Sequence, residues 1–103
     1  MSADTDKRAR EEALEDRIHA LGREIEEGEE ALYDLFQKSR QAQEDAYGLA
    51  EQHGAVTPEL AQQFGRHQDL FHGVKNEGDR LIDRLREEQA EFQRELAVLR
   101  DGG

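Results

Sequence analysis

The stretch His53-Gly54-Ala55-Val56-Thr57-Pro58-Glu59 decides the fold. Glycine adopts the left-handed conformation that ends a helix, and threonine followed by proline is a strong start for the next one. Pro58 is the chain's single proline. This punctuation predicts one helix over about residues 7–53, a turn at 54–57 and a second helix over about 58–100. So short a connection makes antiparallel neighbours of the two. Residues 1–6 read as a frayed start with Ser2, Thr5 and Asp6 as alternative caps, and Gly102 and Gly103 as a loose tail. The whole of 1–103 is expected to be one hairpin domain.

Upstream of the turn, Leu14, Ile18, Leu21, Ile25, Gly28, Leu32, Leu35, Ser39, Ala42, Ala46, Leu49 and His53 recur in alternating steps of four and three. That spacing draws one stripe along a helix, the seam of a coiled coil. Downstream, Leu60, Phe64, His67, Phe71, Val74, Gly78, Ile82, Leu85, Gln89, Phe92, Leu96 and Leu99 keep the rhythm, apart from an extra step of four between Gly78 and Ile82. The extra step is a stutter, which locally unwinds a left-handed supercoil. Leu81, one position off, is expected to share the seam there. Neither arm has a stripe wide enough to be stable alone, whereas two zipped together do. The expected class is therefore all-α: an antiparallel two-helix hairpin, coiled-coil-like, completing a three- or four-helix bundle with a partner. Two glycines, Gly28 and Gly78, fall on the seam. They are either tolerated weak points or positions that admit close approach of a third helix or a local bend.

Composition narrows the function classes. The 103 residues carry a formal charge of -11, are 38% charged and only 35% hydrophobic, and have a mean hydropathy of -1.02. Nucleic acid and anionic membrane surfaces repel such a chain. With no cysteine there is neither disulfide nor thiolate chemistry. No apolar run is long enough for a signal peptide or a membrane span, so residence in the cytoplasm is expected. Export without a cleaved signal peptide is the alternative.

The charge is unevenly spread. The first 30 residues hold 11 acidic and 5 basic side chains, and residues 76–103 hold 8 and 5. Residues 31–75 hold 6 and 4, together with five of the six aromatics: Tyr33, Phe36, Tyr47, Phe64 and Phe71. On the heptad reading Phe36 lies one place off the stripe, Leu70 beside it, and both tyrosines on the outer side of the first helix. This is more apolar surface than a two-helix seam hides. The expected protein-binding surface is Phe36, Phe64, Leu70 and Phe71, with Lys75 at its rim. In the competing reading the aromatics simply widen the seam.

No constellation for catalysis stands out. His53 and His67 flank the turn on the stripe, with Glu59 as the nearest third group, but a polar layer beside a wet turn explains them better than a metal. His19 is expected to face water. The carboxylates sit on convex helix faces, with nothing to exclude solvent or raise a pKa. No nucleophile–base pair or phosphate loop occurs. The expectation is no enzyme activity, no cofactor, no metal and no small-molecule substrate.

A signal-less chain of this length, folded as a helical hairpin with a central turn, resembles the small helical proteins of bacterial type VII secretion. These comprise the WXG100 proteins and the hairpin partners of LXG-type toxins. The WXG100 turn motif is absent, since the chain has no tryptophan, and Tyr47 and Glu51 match the Tyr-x-x-x-Asp/Glu tail signal in the wrong arm. Phe71-His72-Gly73-Val74-Lys75 matches the Phe-x-x-x-Lys pattern of some toxin-associated hairpins. The resemblance implies a chaperone-like adaptor that binds the N-terminal helical domain of a large toxin. The alternative is a self-associating structural or regulatory coiled-coil dimer, to which isoleucine and leucine alternating at Leu14, Ile18, Leu21 and Ile25 point. Either way the partner is another helical protein or a second copy of the chain.

Overall fold

A computed structural model describes residues 2–102, without the side chain of Ser2; Gly103 of the expected tail, and Ser2 as a side-chain cap, lie outside that description. The chain is an all-α helical hairpin: α1 spans Ser2–Gln52 and α2 spans Pro58–Asp101. α1 begins five residues earlier than the sequence reading put it. Nothing between Ser2 and Lys7 breaks a helix, and Asp4 in the first turn complements the positive end of the helix dipole.

The turn is built as its residues dictate. Gly54 has φ +65°. Its N–H donates to the Glu51 carbonyl at 3.1 Å, and that of Ala55 donates to the Ala50 carbonyl at 2.8 Å. These paired bonds form the Schellman closure that satisfies the last carbonyls of a helix. Thr57 Oγ1 then accepts the Leu60 N–H at 3.2 Å, and Ala61 N–H donates to the Thr57 carbonyl at 3.0 Å. Thr57 is thus the N-cap of α2, with Pro58 in the first position, where its missing N–H costs nothing.

The helices pair in two compact units. The end unit joins Met1–Glu29 to Arg80–Gly103, and the turn unit is Glu30–Asp79. All the buried hydrophobic side chains among the described residues belong to the end unit: Leu14, Leu21, Ile25, Ile82 and Leu96, with Leu21 fully enclosed. Half-buried Ile18, Leu85, Phe92 and Leu99 fill the rest of this seam. Gln89 occupies a seam position and meets its polar need there, Nε2 donating to the Ile18 carbonyl at 3.1 Å. That amide lies over Gly22, where a Cβ would come within 3.2 Å of it. Ion pairs straddle the seam: Arg17 with Glu88 at 3.1 Å, Arg86 with Glu29, and Arg100 with Glu15. Arg17 also lies over the Phe92 ring, 6.0 Å from its centroid. Partly exposed pairs of this kind fix register more than they add stability.

Candidate helix-docking surface

In the turn unit the seam departs from the heptad reading. Leu32 packs on Gly78, which is buried: a Cβ there would lie 2.7 and 2.8 Å from the two Leu32 methyl carbons. From Leu32 the inward positions of α1 run on to Phe36, Ser39, Gln43, Tyr47 and Ala50, all half-buried. Phe36 meets Phe71 edge to face, with ring centroids 5.5 Å apart, and Tyr47 meets Phe64 likewise at 4.8 Å. Such pairs add about 0.5–1.5 kcal/mol beyond the area they bury. Phe36 is therefore a seam residue and not an off-stripe anchor, and Tyr47 is not on the outside. Leu81, expected in the seam, is 56% exposed.

The displaced residues define a surface. Leu35, Ala42, Ala46 and Leu49 each immediately precede a seam residue of α1, and Leu70 precedes Phe71 on α2. Val74, four residues before Gly78, falls on the same side of α2. In an antiparallel pair, side chains rotated in the same sense from both seams project from the same face of the layer. These six residues share one face of the turn unit, and all are exposed: Leu35 by 49%, Leu49 by 57%, Leu70 by 67% and Val74 by 51%. The α1 edge of the face carries Lys38 and Asp45, with Asp45 steadied by a hydrogen bond from Gln41 Nε2 at 3.0 Å. The α2 edge carries Glu59, Arg66 and Glu77.

The opposite face is largely polar, with Tyr33, 65% exposed, as its exposed aromatic. An open groove of about 430 Å³ there is lined by Arg40, Gln43, Glu44, Tyr47, Gly48, Glu51, Phe64 and Gln68. Arg40 reaches Glu44 within the same helix at 3.1 Å. Lys75 stands exposed on this side of the α2 seam and so is not a rim residue for Leu70.

Of the five residues expected to bind a partner, Phe36, Phe64 and Phe71 are held in the unit's own seam. Only Leu70 lies on the apolar face. Leu35 and Leu49 were expected in the seam because their fourteen-residue spacing, two heptads, fits a seam as well as an exposed stripe. His53 and His67 are both exposed, and the described residues contain no group of three or more potential metal ligands. No helix among the described residues is long and apolar enough to cross a membrane.

No protein family model, curated protein or solved structure matches this chain.

Proposed function

We propose that the chain is a non-enzymatic helical adaptor, which completes a helix bundle by receiving another helical chain on the apolar face of its turn unit. The observation that carries this is the sidedness of the unit, with Leu35, Leu49, Leu70 and Val74 between 49% and 67% exposed on one face, beside exposed Gln63 and His67, and a largely polar face opposite. Exposed apolar residues gathered on one face favour burial against a matching surface. No metal, cofactor or small substrate enters this reading, and the setting is cytoplasmic. A chain charged at -11 selects for partners that are not themselves strongly acidic. The Phe71-x-x-x-Lys75 likeness makes the helical domain of a type VII secretion toxin one candidate for the larger partner.

Photo-crosslinking in the native host tests the reading. A crosslinking residue at position 49 or 70 is expected to trap a helical chain, and the same residue at position 44 or 72, on the polar face, is not. Equal trapping from both faces, or none from either, would overturn it.

A further inference from the structure

The apolar face has a symmetry that specifies an occupant. Along α1 its exposed residues are Leu35, Ala42, Ala46 and Leu49, of which Leu35, Ala42 and Leu49 are spaced seven apart, with alanine at the centre and leucine at equal distance on either side. Lys38 and Asp45 bracket the same centre on the outer edge. A stripe of this kind reads the same in both directions. It complements itself when a second copy is laid antiparallel across it.

We propose that a second copy of this chain covers the apolar face of the turn unit, related to the first by a two-fold axis passing near Ala42; this rests on the adaptor reading above. The axis brings Ala42 onto Ala42 of the second copy, where small side chains permit close approach. Leu35 meets Leu49 of the second copy, and Leu49 meets its Leu35. Lys38 faces Asp45 of the second copy, so two opposite-charge contacts form across the axis. The α2 side follows the same operator. Phe36 packs on Phe71 and Tyr47 on Phe64, so exposed His67 lies near the level of Ala42 and Leu70 about one turn from it. The two copies of His67 therefore meet beside the axis, with the two copies of Leu70 flanking it on either side. The assembly is an isologous four-helix layer, the symmetry that closed dimers adopt.

Area and charge both allow it. Two helices of about 22 residues, each roughly 10 Å across, present about 600 Å² per copy, or about 1,200 Å² in total, the low end for a stable interface. The edge charges Lys38, Arg66, Asp45, Glu59 and Glu77 come close to balancing, on a chain that is otherwise strongly acidic. Glu59 approaches Glu77 of the second copy only at the wet outer edge of α2, where salt screens the repulsion. A larger helical partner using this face would compete with the second copy.

Sedimentation equilibrium of the purified full chain, over a micromolar-to-millimolar series, tests the proposal. The wild-type chain is expected to be in monomer–dimer equilibrium. Ala42→Asp should weaken the dimer by roughly a hundredfold, since it places two like charges against each other at the axis. Lys38→Asp alone should weaken it several-fold, and Lys38→Asp with Asp45→Lys in the same chain should restore it, because the operator pairs position 38 with position 45 of the other copy. Circular dichroism of each variant checks that the hairpin is intact, and Leu70→Asp, on the same face, serves as the second variant if Ala42→Asp fails to fold. A wild-type chain that stays monomeric throughout, or charge variants whose effects simply add, would overturn the two-fold dimer. The adaptor reading is tested separately by the positions that crosslink. A monomer that still traps a different helical protein from position 49 or 70 sinks the second copy and leaves the adaptor standing.

Discussion

Two seam glycines should respond in opposite directions to the same substitution. Glycine inside a helix is less favourable than alanine by about 1 kcal/mol, so Gly→Ala stabilises wherever the methyl group fits. At Gly28 it fits: the added Cβ would stand 3.7 and 3.8 Å from the Ile82 side chain, ordinary van der Waals contact. Gly28→Ala should then stabilise the end unit by about 1 kcal/mol, raising its midpoint by roughly 4–8 °C. At Gly78 the same Cβ would lie 2.7 and 2.8 Å from the Leu32 methyls and 3.3 Å from its Cγ, so the whole isobutyl head must leave. Leu32 is only half-buried, and displacing it costs about 1–2 kcal/mol of lost burial. Gly78→Ala should therefore be neutral to destabilising by about 1 kcal/mol, opening a gap of about 1–2 kcal/mol between the variants. Leu32→Ala in the same chain should recover part of that loss. Hydrogen exchange resolved along the chain is the appropriate assay, because two units need not unfold together. If Gly78→Ala raises protection of the turn unit as much as Gly28→Ala raises that of the end unit, close packing of Leu32 on Gly78 is wrong.

Four further outcomes follow from the same packing. Leu21→Ala, at a fully enclosed side chain, should cost about 2–5 kcal/mol of unfolding free energy in a denaturant melt, whereas Leu49→Ala should change that of the monomer by no more than about 0.5 kcal/mol. Ile25→Asp should lower the thermal midpoint far more than Glu27→Ala, because Ile25 is buried and Glu27 is exposed; equal midpoints would refute the seam. Gly54→Ala should destabilise by about 1 kcal/mol despite open space around it, since alanine resists φ +65°, and a chemical melt would detect this. Phe36→Ser should reduce protection of the turn unit itself, as seen by hydrogen exchange, because its ring packs on Phe71.

The turn, the α2 stripe from Ile82 to Leu99 and the α1 stripe from Leu14 to Leu32 were all legible in the sequence. Each combines an unambiguous cap or an unbroken step pattern with large aliphatic side chains, so only one register buries them. Legibility failed after Leu32, where two stripes compete on α1. Leu35, Ala42 and Leu49 keep the seven-residue period, but Phe36 and Tyr47 are larger and bury more area against Phe71 and Phe64. The step of four from Gly78 to Ile82 on α2 was visible, yet its counterpart on α1, from Leu32 to Phe36, was not. Periodicity alone does not show that a stutter on one strand is matched on the other. Val74 and His67 were misplaced for the same reason, and both are exposed.

The distribution of the core also has a kinetic consequence. Leu14, Leu21 and Ile25 belong to the same unit as Ile82 and Leu96, at the far ends of the chain, while the turn unit, whose contacts are nearer in sequence, buries no large aliphatic side chain. The most rewarding contacts therefore close the longest loops, and their entropy must be lost before the reward arrives. An intervening helical hairpin, once formed, shortens that search by taking about fifty residues out of the loop to be closed. Anything that holds the turn unit together should accordingly speed the joining of the two chain ends without touching either of them.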